Sequence, residues 1–331
     1  MGNHVDVIAT TISGSVKDWG KVKRIVPLFR ELGETDVTLF EVDSHRGARK
    51  KACELIQSGS RILISAGGSG TFNSVIEGCY DAQVGLEDLR LGFLRKGSAD
   101  LIGKTLGMSD EIGAAIQVFV NAIRENRVVP CDVILAESGS GDTPPRHFVG
   151  YGGAEIFGEI PYYTENRFIK YYKGILGQLF GDLGPFFVGT NAAILGRLPR
   201  RIMGKKNHWE IRVDSAVVTQ GVFQALIIVN GDLGPDLPFA RSEPLGSGNF
   251  FLFTIRDMGT LTLYRQLKHA FDASILKNPA RWGFESFRVT KLLEIRPDSE
   301  GPFPVNVDGS TMMCAEFARF RIVDRIHLLS S

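Results

Sequence analysis

The fold of this chain is decided by a stretch that reads Arg61-Ile-Leu-Ile-Ser-Ala-Gly-Gly-Ser-Gly-Thr-Phe-Asn-Ser-Val-Ile-Glu-Gly78. The apolar run at residues 62–64 is typical of a strand that is buried on both faces. Three glycines follow this run, and residues 73–78 have the spacing of a helix that packs on the strand. Because backbone amides are free at a helix N-terminus and the helix dipole favours negative charge, the stretch predicts a phosphate-binding turn.

Spacing excludes three familiar glycine motifs at this turn. A dinucleotide fingerprint needs glycine where Asn73 stands, and a nucleophile elbow around Ser69 needs glycine where Thr71 stands. A Walker loop ends in Gly-Lys-Ser/Thr, and the turn contains no lysine. The pattern alone leaves open a second interpretation, a plain tight turn between strand and helix.

Composition narrows the class of protein. The chain has 331 residues, of which 44% are hydrophobic, and this length predicts about two domains. A formal net charge of +1 gives no reason to expect nucleic acid as a partner. The four cysteines, which lack metal-ligand spacing, are typical of buried thiols in a cytosolic protein: Cys53, Cys79, Cys131 and Cys314.

The N-terminus carries no recognisable targeting signal. Residues 1–5 have no basic region followed by an apolar core, and Asp6 stands where myristoylation requires Ser or Thr. No apolar run approaches the ~18 residues that a membrane helix needs. The sequence therefore predicts a cytoplasmic protein without a transmembrane segment.

The first part of the chain alternates strands and helices. Strands are predicted at residues 5–9, 37–42, 62–64 and 91–94, with helices at 18–32 and 49–57 between the first three. This alternation predicts a parallel, doubly wound sheet whose ligand crevice lies at the carboxyl ends of the strands. Small or hydroxyl-bearing residues follow those ends, at Thr10, Ser44 and the glycine turn.

Beyond residue 132 the pattern becomes strand-rich. Apolar runs at residues 209–213, 217–230, 250–255, 287–295 and 303–307 predict an antiparallel sheet or sandwich. An aromatic segment at residues 162–187 has near-helical spacing, which fits core packing or the lining of an acyl chain. A basic loop (Arg197, Arg200, Arg201, Lys205 and Lys206) fits a solvated loop or a docking site for anionic lipid headgroups.

Several segments together resemble one family. Gly67-Gly-Ser-Gly-Thr-Phe-Asn73 resembles the Gly-Gly-Asp-Gly-Thr-x-Asn signature of diacylglycerol kinases and their sphingosine and ceramide kinase relatives. Residues 94–107, which include Gly97-Ser-Ala-Asp100, are similar to the second family motif, and residues 228–231 to its Asn-Gly strand end. Val305-Asn-Val-Asp-Gly309 resembles the late Asp-Gly-Glu motif up to its last residue. NAD kinases share the glycine turn, but the order of the later segments is closer to the lipid branch.

The resemblance implies a two-domain fold like that of NAD kinases and diacylglycerol kinases. It implies an α/β nucleotide-binding domain at residues 1–132, a β-sandwich-type lipid-substrate domain at 133–316, and a strand at 317–331 that returns towards the first domain. It implies ATP and Mg²⁺ as cofactors, and a diacylglycerol, ceramide or sphingoid base whose hydroxyl attacks the γ-phosphoryl group. A transient, peripheral contact with a membrane surface follows from such a substrate. The oligomeric state is left open, with a homodimer among the alternatives.

The resemblance also implies the site residues. Asp308, Ser310 and Ser69 take the positions of the catalytic motif residues, and the metal ligands stay unknown. The residues expected to bind the cofactor are Thr10, Ser44, Gly67, Gly68, Ser69, Gly70, Thr71, Asn73, Gly97, Ser98 and Asp100.

The chain departs from the family pattern three times, each time by losing an acid. Ser69 replaces the aspartate of the glycine signature, Ser310 replaces the glutamate of the late motif, and Ser247 stands where another carboxylate is expected. A serine hydroxyl cannot act as a base near neutral pH and binds a hard divalent cation poorly. Two hypotheses follow: a lipid kinase that works through Asp308 and Asp100, or a catalytically weak or inactive relative that binds nucleotide or lipid.

Overall fold

The protein, represented by a computed structural model, is described at residues 4–10, 16–34, 36–95, 101–140, 142–164, 190 and 207–331. These residues form two compact units, one of residues 1–132 with 324–331 and the other of residues 133–323. Residues 165–187 of the aromatic segment lie outside the described residues, and so does the basic loop from Arg197 to Lys206.

The first unit alternates strands and helices. In chain order its elements are β1 (Val5–Thr10), α1 (Val16–Glu31), β2 (Val37–Val42), α2 (His45–Gln57), β3 (Ile62–Gly67), α3 (Ser69–Asp81), β4 (Arg90–Arg95), α4 (Leu101–Thr105), α5 (Ile112–Glu125) and the first part of β5 (Val128–Ser138). Its sheet has the order β2-β1-β3-β4, and each of these pairs is parallel. The end of a last strand, β16 (Ala318–Leu329), pairs in parallel with β4 through His327 and Leu328. The predicted α/β fold of this part of the chain is confirmed.

The core of the first unit explains why its strands read as continuous apolar runs. All six residues of β1 and all six of β3 are buried, as expected for parallel strands covered on both faces. The rings of Phe72 and Phe93 stack with their centroids 4.7 Å apart, which packs α3 against β4. The strand that ends in the glycine turn is thus held rigidly at the centre of the sheet.

Close packing of α2 on α3 depends on Gly78. A Cβ atom at Gly78 would lie 2.2 Å from the carbonyl oxygen of Arg49, so that no larger residue fits there. The Arg49 guanidinium in turn donates to both carboxylate oxygens of Asp81, at 2.5 and 2.7 Å. These contacts fix the direction of α3 and therefore the position of its N-terminus.

The second unit is mostly β-structure. After the end of β5 its elements are β6 (Arg146–Phe148), β7 (Tyr151–Glu155), α6 (Ile156–Thr164), β8 (Trp209–Val213), β9 (Ala216–Gly221), β10 (Phe223–Val229), β11 (Phe250–Arg256), α7 (Thr260–Phe271), two 3₁₀ turns (Ser274–Lys277 and Ala280–Trp282), β12 (Phe284–Val289), β13 (Leu293–Pro297), β14 (Phe303–Val307), β15 (Ser310–Cys314) and the start of β16. One sheet has the order β12-β11-β10-β7-β14-β15, and in the other β16 pairs with β13, β13 with β8 and β8 with β9. All the described pairs in both sheets of this unit are antiparallel, which confirms the predicted β-rich second part.

One apolar cluster fills the interior of the second unit. It contains Trp209, Phe148 and Phe320, and the last two rings meet edge to face at 6.3 Å. The Trp209 indole nitrogen donates to Glu155 Oε1 at 2.6 Å, so that the one polar atom of this buried ring is satisfied.

Two predicted runs each contain two strands. Residues 217–230 divide at Gly221, whose φ of 147° ends β9 before β10 begins. Residues 287–295 divide between β12 and β13, where the Asp214 carboxylate accepts from the amides of Lys291 and Leu292. The first break is a local backbone feature and the second involves a side chain that is distant in sequence, so the apolar runs alone predict neither.

Two composition-based expectations can be compared with the described residues. None of their helices combines the length and the apolar character needed to cross a membrane. The four cysteines form no disulfide with one another, and three of them are buried.

Candidate functional site

The glycine turn leaves hydrogen-bond donors open at the start of α3. Gly68 is the N-cap residue, in an extended conformation (φ −96°, ψ −178°), and no side chain caps the helix. The first amides of a helix have no partner within it, and a Cβ atom at Gly68 would meet none of the described atoms within 4 Å, so there is room beside the start of this helix. An anion can therefore approach these amides, which is the geometry of a phosphate site.

The glycines on either side of Gly68 are required for a different reason. A Cβ atom at Gly67 would lie 2.5 Å from Thr71 Oγ1, and one at Gly70 would lie 2.9 Å from Cε1 of His45. Both glycines therefore allow a close approach of neighbouring side chains. The turn is therefore crowded at Gly67 and Gly70, and among the described atoms it is open at Gly68.

Three polar side chains of the predicted site lie beside this turn. The hydroxyls of Thr10 and Thr71 are 2.8 Å apart, and both residues are buried, so this bond ties the end of β1 to α3. Asn73 is 8% exposed, and its amide oxygen has no hydrogen-bond partner among the described residues. A buried acceptor without a donor is costly, which makes Asn73 a candidate to bind a water or a ligand group.

After the end of β2 the chain places the predicted Ser44 and an unpredicted neighbour, His45, near the glycine turn. Ser44 caps α2, because its hydroxyl accepts from the Gly47 amide at 3.0 Å and donates to Asp43 at 3.0 Å. The next residue, His45, is exposed and lies against Gly70. A histidine directly after the carboxyl end of a parallel strand is the signal that could have identified it.

The second family motif cannot be placed. Gly97, Ser98 and Asp100 lie outside the described residues, which resume at Leu101 with α4. Their predicted contact with the cofactor stays a prediction.

Asp308 lies in a tight hairpin turn within the second unit. Val307 pairs with Ser310, which leaves Asp308 and Gly309 as a two-residue turn with φ values of 45° and 81°. Positive φ at both positions is the type I′ geometry that Asp-Gly favours. The Asp-Gly pair of the late motif is therefore accounted for by the type I′ turn that it forms, before any catalytic role is considered.

The Asp308 carboxylate is occupied by backbone amides. Its two oxygens accept from Val149 at 2.9 Å, from Gly150 at 3.1 Å and from Tyr151 at 2.7 Å. The residue is 3% exposed, and burial raises the pKa of Asp308 to about 6 although these three amides act in the opposite direction. In this arrangement the carboxylate joins the hairpin to residues 149–151.

The three serines that replace acids lie at the starts of two elements and in a loop. Ser69 is the first residue of α3, and Ser310 is the first residue of β15. The Ser247 hydroxyl donates to the carbonyl of Asn249 at 3.1 Å and accepts from its amide at 3.3 Å. In the part of the chain that the structure describes, no three His, Cys, Asp or Glu side chains are grouped to hold a metal ion.

A separate cavity of about 550 Å³ opens at the opposite edge of the first unit, where its strands begin. His4, Asp6, Arg61 and Arg90 are among the residues that line it. His4 contacts Asp36 at 2.6 Å and Asp6 at 2.9 Å. Because ligands of parallel sheets bind at the carboxyl ends of the strands, this cavity is not the predicted crevice.

Comparison with known proteins agrees with the resemblance in the sequence. Residues 4–135 match the family model of the diacylglycerol kinase catalytic domain. The predicted recognition is confirmed over that range. No curated protein is a significant match to the chain.

Solved structures share the fold over nearly the whole chain. A protein of Bacillus anthracis str. Sterne that is assigned as a diacylglycerol kinase has a TM-score of 0.70 and 17% identity, over 99% of this chain and 96% of its own. A second diacylglycerol kinase structure from that organism has a TM-score of 0.64 and 17% identity, over 99% and 97%. An NAD kinase from Archaeoglobus fulgidus in complex with ATP has a TM-score of 0.51 and 12% identity, over 98% and 93%. At these identities the likeness shows the fold, and the predicted fold class is confirmed.

Proposed function

We propose that this protein is a phosphotransferase of the diacylglycerol kinase type, which binds ATP and transfers its γ-phosphoryl group to a lipid hydroxyl. The observation that carries the proposal is the open glycine turn at Gly68, within the residues that match the family model. A lipid kinase-type function is what that match supports. The lipid is of the diacylglycerol, ceramide or sphingoid-base class.

The glycine turn is suited to the phosphates of ATP. The amides of Ser69 and Gly70 would donate to phosphate oxygens, and the positive end of the α3 dipole would favour their charge. The buried oxygen of Asn73 would accept from the nucleotide or from a water that the nucleotide orders. His45 lies where it can contact the same ligand, since it touches Gly70.

For Mg²⁺ the described residues fit less well. They contain no carboxylate cluster, and the family aspartate at the turn is Ser69. A magnesium ion would neutralise phosphate charge, and it is usually held by one or two carboxylates together with substrate phosphates.

Transfer needs one proton to leave the acceptor. The hydroxyl oxygen forms a bond to the γ-phosphorus, the bond from that phosphorus to the ADP oxygen breaks, and the hydroxyl proton passes to a base. Asp308 is the predicted candidate for this base, whereas Ser310 and Ser69 only take the positions of catalytic motif residues, and these assignments stay predictions. The amides on its carboxylate favour a positioning role, because both oxygens are already used as acceptors.

The alternative is a relative that binds nucleotide or lipid with weak phosphoryl transfer or none. The observation in its favour is the loss of acid at Ser69, Ser247 and Ser310, without a grouped replacement among the described residues. Such a protein would bind nucleotide without transferring phosphate, since binding at the glycine turn needs only backbone amides whereas transfer needs a base.

Two measurements on the purified protein test the proposal. ATP should raise the melting temperature, because a ligand that binds only the folded state stabilises it, and Mg²⁺ should enlarge the shift. Labelled ATP should then yield a labelled lipid from a panel of diacylglycerol, ceramide and sphingoid base. A shift that ignores Mg²⁺, with no labelled lipid, selects the binding protein; the absence of any shift with ATP contradicts both.

A further inference from the structure

The outer surface of α7 and of the two 3₁₀ turns after it combines exposed apolar groups with cations. Met258, Tyr264 and Leu276 are 46%, 54% and 41% exposed, which is unusual for large apolar side chains. Four exposed cations lie in the same segment. We define the α7 patch as Met258, Tyr264, Arg265, Lys268, Leu276, Lys277 and Arg281.

Contacts between rings make this patch one continuous surface. The His269 ring on α7 lies 4.2 Å from the Trp282 ring of the second 3₁₀ turn, and Arg281 lies over the same indole at 5.4 Å. A Cβ atom at Gly283, the next residue, would lie 3.3 Å from the Met258 sulfur. Tyr264 and Lys268 are one helical turn apart and therefore neighbours on the outer face of α7.

The inner face of α7 is anchored, so the patch cannot turn inward. Leu263 is 1% exposed and clusters with Ile156. The Gln266 amide nitrogen donates to the carbonyls of Arg256 at 2.9 Å and Trp282 at 2.8 Å. These bonds hold the helix and the second 3₁₀ turn together and leave the opposite side facing outward.

The cations of the patch differ from most of the other described arginines of the second unit. None of the four forms a salt bridge with any residue that the structure describes. Seven arginines elsewhere in the unit each lie within 4 Å of a carboxylate: Arg212, Arg241, Arg256, Arg288, Arg296, Arg319 and Arg321.

Two carboxylates lie beside the patch, those of Asp257, next to Met258, and of Asp272, at the end of α7. Asp272 accepts from the Ser274 hydroxyl and amide, which together with His269 and Lys268 lower the pKa of its carboxyl. It therefore stays ionised at neutral pH and offsets one positive charge of four. With Asp257 counted as well, four cations face two carboxylates, so the patch keeps a net positive charge.

We propose that the α7 patch docks on the surface of an anionic lipid bilayer. Unpaired Lys and Arg next to exposed Tyr, Leu and Met are the composition of interfacial membrane-binding surfaces, where cations meet headgroups and apolar groups enter the acyl boundary. The inference rests on the proposed function for its purpose, since a lipid hydroxyl must be reached at a membrane. It can be tested without ATP, so its failure is distinguishable from failure of the kinase proposal.

The test is co-sedimentation with vesicles of phosphatidylcholine alone or mixed with phosphatidylserine. The protein should bind the mixed vesicles, and binding should weaken as salt rises. The double variant Arg265→Glu/Lys268→Glu should bind at least about tenfold more weakly, since each cation near an anionic surface contributes about a factor of five. Tyr264→Ser/Leu276→Ser should weaken binding in a way that salt does not change.

Lys23→Glu/Arg24→Glu, on the exposed face of α1, is the matched control because it changes net charge equally. It should bind mixed vesicles like the natural protein. Equal loss in the control and in the patch variant would overturn the proposal, and so would absence of binding to mixed vesicles at low salt. Self-association that Tyr264→Ser abolishes, without vesicle binding, would assign the surface to a second copy of the chain and overturn it as well.

Discussion

The Gly68 turn and the Asp308 turn differ in whether a carboxylate of the chain accepts hydrogen bonds from the nearby backbone amides. At Gly68 the start of α3 has no side-chain cap, and no described atom lies within 4 Å of the position that a Cβ atom of Gly68 would take. At Asp308 a buried carboxylate accepts from three consecutive amides, Val149 to Tyr151, and fills the position that a ligand anion would take. One turn is thus prepared to receive an anion from outside, whereas the other has one built in. An acidic residue in a kinase-like motif is therefore not by itself a sign of chemistry.

The largest effect should come from breaking the filled turn. Asp308→Asn keeps the shape and tolerates the positive φ, but it sets an amide nitrogen against backbone donors. We expect a loss of about 2–4 kcal/mol in the free energy of unfolding, because buried donors are left unpaired. Urea unfolding measures this loss.

The control for that variant is Asp298→Asn. Asp298 is exposed and accepts from one amide, that of His208, at 2.8 Å, so its loss should stay below about 1 kcal/mol. If both variants unfold at the same urea concentration as the natural protein while Asp308→Asn loses its transfer rate, Asp308 acts as a base and does not stabilise the fold.

The next effect should come from filling the open turn. Gly68→Asp places a carboxylate at the N-cap, where its extended backbone and the empty space accept a side chain. We expect ATP affinity to fall at least about 100-fold, equivalent to ~2.7 kcal/mol, because the new carboxylate binds the same amides and repels phosphate. Stability should be unchanged or higher by a few tenths of a kcal/mol.

Calorimetric titration with ATP and urea unfolding give the two readings for Gly68→Asp. Gln57→Glu, an exposed residue at the end of α2, adds the same charge elsewhere in the unit and should leave ATP affinity within about twofold. An unchanged ATP affinity in folded Gly68→Asp would remove the glycine turn as the phosphate site.

A smaller effect should follow from restoring acids at both turns. Ser69→Asp with Ser310→Glu returns the family residues, and a positioned base contributes ~10²–10⁴-fold to rate, so partial restoration should give at least about tenfold. The rate of label transfer to lipid is the measurement. Ser69→Asn with Ser310→Gln is the control of matched shape without charge. Activity in the Ser69→Asp/Ser310→Glu variant alone would identify the natural chain as a binding relative. Equal rates in the natural protein and both variants would show that acids at these two positions do not contribute to transfer.

The smallest effect is the pH dependence of stability that His4 contributes. The bond to Asp36, aided by Asp6, raises the pKa of His4. Protonated His4 therefore stabilises the fold below its usual pKa near 6.5, and that contribution is lost as pH rises through the raised value. Since His4 is partly exposed, we expect less than about 1 kcal/mol.

Melting temperatures of His4→Gln and the natural protein between pH 5.5 and 8.5 measure this contribution. The difference should be largest at the acid end and shrink towards pH 8.5. A difference that grows with pH would contradict the assigned direction.

Local patterns predicted the fold well, and distant contacts limited the prediction of the site. The apolar run before the glycine turn and the alternation of elements are visible within short windows, so β3, α3 and the parallel sheet follow from them. The partners of Asp308 are 157–159 residues away along the chain, and no window contains both. The exposure of His45 beside Gly70 likewise depends on how α2 packs on α3 through Gly78, which only the three-dimensional structure reveals.

The path of β16 has a consequence for the order in which the protein is made. Residues 324–331 complete the sheet of the first unit beside β4, and Arg325 neutralises the buried Asp132 at 2.7 Å. The ribosome must first synthesise residues 133–323, which at 5–20 residues per second takes roughly 10–40 s. During that interval β4 has an unpaired edge, and an open strand edge invites pairing with other chains. The domain that emerges first is therefore completed only when the last residues of this chain have been made.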